Sequence, residues 1–585
     1  MTGSEAAARR GPVAVSALPG RAWGRLRSLL PARADFTAMT RAPRRDLLAG
    51  LTVAIVALPL ALGFGVSSGL GAEAGLATAV VAGALAALFG GSNLQVSGPT
   101  GAMTVVLVPI VAQYGPGGVL TVGLLAGLLL LALALLRAGR YMRYVPAPVV
   151  EGFTLGIACV IGLQQVPNAL GADAPEGDTV LVAAWGAARQ FVAAPDWTAA
   201  ALALAVAAVM LLGARWRPAV PFSIVGVAAA TAATQLLDLD ATPIGDLPAG
   251  LPAPSLAFLD LSALGSLLAP AVAVAALAAL ESLLSATVAD SMTTGQRHDP
   301  DRELFGQGVA NLAAPLFGGV PATAAIARTA VNVRSGARSR LAALTHAAVL
   351  AVIVFAAAPL VSAIPLAALA GVLLATAIRM VEAGALRAMV RATRSDAVVL
   401  VLTATATLVL DLVLAVVIGL AVAGALALRA VAGQARMDRT DLPAGLLDAY
   451  DAEERAPLTE HVAAYRIDGP VFFAGAHRFL HDLSAVTGVH VVILRLSRVT
   501  TMDATGALAL KDAVEELHRR EITVLAGGIR PGQRPALASV GALDLLAGEY
   551  ATTAEAVAGA RAHLRRAGLL PAAPATASLG EEAAR

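Results

Sequence analysis

Cysteine is almost missing from these 585 residues. Cys159 is the only one, so no disulfide can form within the chain and no multi-cysteine metal site can be built. Lying in an apolar run, Cys159 reads as a small packing residue. Charge is scarce as well: Asp, Glu, Lys and Arg make up 14% of the chain, against roughly 25% in an ordinary water-covered protein. Much of the surface therefore faces something other than water. Lysine is reduced to Lys511, and arginine carries the remaining positive charge. With abundant Ala and Gly, this composition suggests a GC-rich bacterial genome. The formal net charge of +2 gives no reason to expect a nucleic-acid partner. His298 and His346 have no metal-ligand spacing, and no nucleotide-binding P-loop is present. No enzymatic activity, cofactor or metal is expected.

What is present is apolar length. Hydrophobic residues make up 57% of the chain and mean hydropathy is +0.75. Apolar segments near the roughly 20 residues that cross a bilayer recur from about Leu47 to about Val431. The expected architecture is an α-helical polytopic membrane protein with fourteen spans in two sets of seven. The stretch 178–194 reads as an extramembrane helix. Residues 1–46 read as a basic disordered cytoplasmic tail without a cleavable signal peptide, 47–433 as the transmembrane domain and 434–454 as a linker. Residues 455–567 read as a soluble α/β domain, and 568–585 as a disordered tail. Candidate strands of the soluble domain are 462–467, 490–496 and 522–526. Its candidate helices are 475–486, 505–519, 533–546 and 552–566.

Arginine asymmetry tests the span count. Alternate loops carry Arg137, Arg140 and Arg143; Arg215 and Arg217; Arg297 and Arg302; Arg334, Arg338 and Arg340; and Arg387, Arg391 and Arg394. The loops between them carry Arg189 alone, beside acids such as Asp238, Asp240, Asp246 and Asp260. Since basic loops stay in the cytoplasm, both termini are expected inside.

Two of the spans are short. Residues 100–113 follow Gln95-Val96-Ser97-Gly98-Pro99, and residues 323–333 follow Gly318-Gly319-Val320-Pro321. They are the third and the tenth, at matching positions of the two halves. Interrupted segments so placed point to an inverted-repeat transporter with its site where they meet, because irregular backbone at membrane depth has to be buried in protein or line a cavity. Two helix N-termini facing each other offer unpaired N–H groups and about half a positive charge each. Thr100 and Gly101 stand at the first start, and Ala325, Ile326 and Ala327 at the second. Arg328, a turn inside the tenth span, either adds positive potential behind an anion or pairs with an acidic side chain. Glu281, in the apolar run 270–284, is a candidate proton carrier or a partner of Arg328. Asp411 reads as a helix cap. Without nucleotide motifs, the expected activity is secondary transport of a small inorganic or organic anion. The competing reading is a membrane-anchored sensor that signals through the soluble domain.

Four motifs in this order resemble the SulP family of anion transporters: Ala49-Gly50-Leu51-Thr52-Val53, Ser97-Gly98-Pro99-Thr100-Gly101-Ala102-Met103-Thr104, Glu281-Ser282-Leu283-Leu284 and Ala327-Arg328-Thr329. The similarity runs from about 44 to 566. It implies a seven-plus-seven inverted repeat in which a core domain moves against a gate domain. The anion would sit between the third and tenth helices, with the first and eighth completing the pocket. Phe64, Thr100, Ala325 and Arg328 match pocket positions. Glu281 matches an acidic position of the eighth helix, with Ser285 one turn on as a coupling neighbour. In sodium-coupled bicarbonate members that acid acts with a hydroxyl-bearing residue on the tenth helix. Here Ile326 stands in its place and offers no side-chain oxygen to Na⁺, which favours H⁺. Leu60 replaces a glutamine common in animal members. Sulfate, bicarbonate or a small dicarboxylate is the implied cargo, and a homodimer in the bacterial inner membrane the implied assembly. The soluble unit resembles a STAS domain through Asp468-Gly469-Pro470-Val471-Phe472-Phe473 and Met502-Asp503-Ala504-Thr505-Gly506. Such a domain implies a cytoplasmic partner. Thr505 occupies a place comparable to the phosphorylated residue of STAS antagonists.

Overall fold

The computed structural model describes residues 24–570 except 26, 173–178, 218–219, 248–249, 411, 443 and 474–486. Asp411, the expected helix 475–486, residues 1–23 of the expected N-terminal tail and residues 571–585 of the C-terminal one lie outside the described residues. The chain forms two compact units, Met1–Ala421 and Val422–Arg585.

From Pro43 to Ala432, where the last helix runs across the boundary between the units, the main elements are α1 (Pro43–Ser67), α2 (Ala72–Phe89), β1 (Ser97–Gly98), α3 (Gly101–Leu135), α4 (Ala147–Gln164), α5 (Trp197–Trp216), α6 (Phe222–Leu236), α7 (Leu264–Ser291), α8 (Pro300–Ala313), β2 (Thr323–Ala324), α9 (Ile326–Arg334), α10 (Leu341–Ala356), α11 (Leu366–Met380), α12 (Ala383–Ala392), α13 (Arg394–Val409) and α14 (Leu412–Ala432). α3 covers both the third and the fourth expected span; Gly115, at φ 69°, breaks it just before Pro116. A helix therefore underlies each of the fourteen expected segments. Among the described residues, eight helical stretches are long and apolar enough to cross a membrane. The others are shorter or more polar. The expected extramembrane helix is present as Val180–Ala193.

Packing divides these helices into two groups. α1, α2, α3, α7, α8, α9 and α10 pack on one another, with α1 against α2, α9 and α10, and α3 against α7 and α8. α4, α5, α6, α11 and α13 form the second group, in which α13 lies on α4 and α11 on α5. α1 touches both groups, through α6 and α11. This is the core-and-gate division expected of the fold.

Part of the stretch read as a disordered N-terminal tail is ordered. Arg33–Met39 is helical. Its Asp35 pairs with Arg302 at 2.6 Å and Arg340 at 3.7 Å, and Arg25 pairs with Asp301 at 3.0 Å. Burial opposes the charge of Asp35, but the bonds from Arg302 and the Ala32 N–H, with the charge of Arg340, outweigh it and hold the carboxyl below its ordinary range. Asp46, fully buried, accepts from the backbone N–H groups of Arg338 and Ser339 and from the Ser339 hydroxyl, fixing the entry to α10.

The second unit holds a five-stranded sheet in the order β3 (Arg436–Thr440), β4 (Val462–Val471), β5 (Val491–Met502), β6 (Thr523–Gly527), β7 (Gly548–Tyr550). β3 is antiparallel to β4 and the remaining pairs are parallel. Helices α15 (Ala452–His461), α16 (Ala504–Arg519), α17 (Arg534–Ser539) and α18 (Thr553–Arg566) complete it. The stretch read as a linker thus contributes an edge strand, and α17 is shorter than the expected helix 533–546.

Candidate functional site

The site is organised by the smaller of the two sheets. Ser97 pairs with Ala324 and Gly98 with Thr323, antiparallel, and the Ala325 N–H donates to the Val96 carbonyl at 3.1 Å. From this ladder α3 and α9 leave in opposite directions, so their N-termini face one another. Short extended backbone survives inside the membrane unit because its polar groups are spent on each other.

Each helix start leaves donors over. Thr100 caps α3: its Oγ1 accepts from the Met103 N–H at 3.3 Å, and its carbonyl accepts from the Thr104 N–H. No side chain caps α9 at Ala325. The N–H groups of Gly101 and Ala102 at one start, and of Ile326, Ala327 and Arg328 at the other, have no acceptor among the described residues. Ile326 is 38% exposed and Ala327 is exposed too. Such a pair of starts attracts a negative charge.

Phe64 and Gly101 belong together. A Cβ on Gly101 would run into the Ile161 side chain and lie 3.1 Å from Cε1 of Phe64, so only glycine lets the ring and α4 close on the start of α3. The Phe64 carbonyl accepts from Thr104 Oγ1 at 3.4 Å, tying α1 to α3. Leu60 is buried on the same helix.

Glu281 comes in from α7. The Thr100 hydroxyl donates to its Oε2 at 2.9 Å. Arg328 takes another route. It is 1% exposed, and its Nη2 donates to the Pro99 carbonyl at 2.7 Å. Its Nη1 has no hydrogen-bond partner and rests against Gly98, whose φ of 152° and missing side chain leave room for it: a Cβ there would stand 2.6 Å from Nη1. Among the described residues no acid lies within ion-pairing distance of Arg328; Glu281 acts on it as a nearby charge. Ser285, fully buried, donates to Thr329 Oγ1 at 3.0 Å and bonds α7 to α9. Thr505 sits on the second unit, exposed in the first turn of α16 behind the cap residue Asp503.

Sequence reasoning missed the polar scaffold behind the ladder. Asn311 donates to the Ala322 carbonyl and accepts the Ala322 N–H at 2.8 Å. Gln307 donates to Ser97 Oγ at 2.7 Å and to Glu303 Oε1 at 3.0 Å. Glu303 Oε2 accepts from the N–H groups of Gly91 and Ser92. Ser282 and Thr323 share a 3.0 Å bond, and Asn332 donates to the Leu94 carbonyl at 2.7 Å. The available signal was Glu303, Gln307 and Asn311 at i, i+4, i+8, a polar stripe on one face of an otherwise apolar segment.

Together these features define a helical membrane transporter in which two half-helices meet across a shared ladder. Its sequence matches the model of the sulfate permease family over residues 44–403 and that of the STAS domain over 455–558. The chain belongs to the sulfate permease family, whose members are transporters rather than enzymes. It is 33% identical over 509 residues to YvdB of Bacillus subtilis (strain 168), provisionally named a sulfate transporter, covering 85% of this chain and 94% of that one. The solved transmembrane domain of a cyanobacterial bicarbonate transporter, BicA, is 34% identical. It superimposes with a TM-score of 0.58, covering 66% of this chain and 97% of that one. SLC26A9, at 16% identity, shares the fold, with a TM-score of 0.77 and coverage of 97% and 99%.

Proposed function

We propose that this chain is a secondary active transporter that carries a small anion together with a proton by an elevator-like movement of core against gate. The observation that carries this reading is the pair of helix starts on one ladder, each with N–H groups left over. Five N–H groups without an acceptor among the described residues stand at Gly101, Ala102, Ile326, Ala327 and Arg328, with the Arg328 guanidinium behind them and Phe64 at one side. An anion there would be bound by backbone dipoles and one guanidinium. Such a pocket reads charge and size more than identity, and sulfate, bicarbonate and a small dicarboxylate all meet that description.

Glu281 supplies the coupling. An anion beside an ionised carboxylate is repelled, and beside a protonated one it is not, so proton and anion bind in concert. Na⁺ needs several oxygen ligands. Ile326 provides none from its side chain, and the Ser285 hydroxyl is occupied at Thr329. The ladder ties the two helix starts together, which favours their moving as one body. Both termini in the cytoplasm, a homodimer in the bacterial inner membrane, and a cytoplasmic partner reading Thr505 belong to the same proposal. The test is uptake of labelled sulfate, bicarbonate and dicarboxylates into proteoliposomes under a pH gradient, then under a Na⁺ gradient. Accumulation of one of them under the pH gradient alone is expected. Uptake driven only by Na⁺ would overturn the proton coupling, and uptake of none would leave a membrane-anchored sensor as the better reading.

A further inference from the structure

α12 carries a pattern that transport does not use. Over Ala383–Ala392, a period of 3.6 residues sets Leu386, Met389 and Val390 within one third of the circumference, with Arg387 and Arg391 along the flank beside them. Arg394 follows at the first position of α13. Val390 is 50% exposed, and all three arginines are exposed. None of the three side chains has a hydrogen bond or ion pair to a described residue, Glu382 and Asp396 of the same segment included. Arg25, Arg302 and Arg340, by contrast, are tied to Asp301 and Asp35, whereas the exposed Arg215, Arg297, Arg334 and Arg338 resemble the three in having no side-chain bond to a described residue. α12 also follows α11 after only Val381 and Glu382. The last turn of that apolar helix leaves Ile378 58% exposed.

We propose that α12 lies in the plane of the membrane surface and that Arg387, Arg391 and Arg394 form a binding site for the headgroups of anionic phospholipids. The apolar arc continues the lipid-facing surface of α11, so its natural neighbour is acyl chain. Guanidinium groups beside it stand at headgroup depth, where their planar forks match phosphate oxygens and their stems cover apolar surface. A free anion in solution would be held by the charges alone and would gain nothing from Leu386, Met389 and Val390. The basic-loop rule sets these arginines on the cytoplasmic side, which is where anionic lipid concentrates.

The full-length protein in detergent, titrated with phosphatidylglycerol or phosphatidylcholine and weighed by native mass spectrometry, tests this. Wild type should retain phosphatidylglycerol in preference. Replacing the three arginines together (R387Q, R391Q and R394Q) should weaken that binding by about fivefold per arginine, while R387K, R391K and R394K together should keep most of it. Unchanged lipid retention in the glutamine variant overturns the site. Equal loss in the lysine variant overturns the role of charge. Displacement of the lipid by excess inorganic phosphate overturns the headgroup in favour of a soluble anion. If the triple glutamine variant fails gel filtration, R391Q alone carries the same comparison.

Discussion

The hydroxyl of Thr100 donates a 2.9 Å hydrogen bond to Oε2 of Glu281, a residue 181 positions away in the chain. One residue thereby caps the helix start and holds the acid against it, since Thr100 Oγ1 also accepts from Met103. Two substitutions separate these roles. Glu281→Gln keeps a hydrogen-bond acceptor for Thr100 but cannot exchange a proton. It should abolish pH-driven accumulation in proteoliposomes while leaving anion binding within a few fold. Thr100→Ala removes the cap, at about 1 kcal/mol, yet leaves the N–H groups in place, so anion affinity should fall by about fivefold and not vanish. Undiminished accumulation in the Gln variant would remove Glu281 from the coupling.

Gly101→Ala should be far more damaging than its size suggests. The added methyl meets the tip of the Ile161 side chain and the Phe64 ring, so either Ile161 is displaced or the start of α3 shifts. Transport should fall by at least tenfold in a protein that still elutes as a single species. Because the obstruction is a side chain, adding Ile161→Ala should restore part of the rate. A double variant no better than the single one would place the defect elsewhere.

Asn311→Ala strips both partners from the backbone of Ala322, which is fully buried. With a desolvation penalty of roughly 1–3 kcal/mol per orphaned group, the membrane unit should lose about 2–4 kcal/mol. This would be read as a lowered Tm of the purified protein in detergent. Asn311→Asp keeps an acceptor for the Ala322 N–H and should lose less.

In the STAS unit, acidification should act in two windows. Burial, with the charges of Arg566 and His490, pushes the His563 ring below its ordinary 6.5. The unfolded chain therefore takes up the proton first. Stability is full above about pH 6.5 and declines as pH falls below it. The His563 Nε2 also shares a 2.9 Å hydrogen bond with Thr523 Oγ1. Glu454 is held below its ordinary 4.5, first by the hydrogen bond from Arg561 and then by Arg565. Its contribution persists to lower pH and is lost as pH falls through and below 4.5. Hydrogen exchange of α18 amides in the full-length protein should show less protection at pH 5.5 than at pH 7.5, and His563→Gln should flatten that difference.

The helices and the helix breaks were legible because each rests on local signals: apolar length, a Gly/Pro interruption, a Thr at a cap. The positions of Thr100, Gly101 and Ala325 follow from those breaks, whereas Phe64, inside the first span, is marked only by the family resemblance. Partnerships were not legible, because they join distant segments. The sequence left Arg328 between an anion role and an acidic partner. The structure adds a bond to the Pro99 carbonyl, a group that every residue possesses and no pattern marks. Ser285, expected beside Glu281, turns to Thr329. β3 was read as linker because Arg436-Met437-Asp438-Arg439-Thr440 has none of the apolar alternation of a half-buried strand; it lies on a sheet edge, where only one side needs a partner.

The two-residue ladder also bears on ancestry. A polypeptide ending before α7 would carry Ser97 and Gly98 with nothing to pair against, and one beginning there would carry Thr323 and Ala324 in the same condition. Each orphaned group would face hydrocarbon at several kcal/mol. Neither half is viable as a lone monomer, so a gene cut in the loop between α6 and α7 should yield stable protein only when both fragments are made in the same cell. The ladder is a contact that two oppositely inserted half-chains would make with each other just as the single chain makes it with itself.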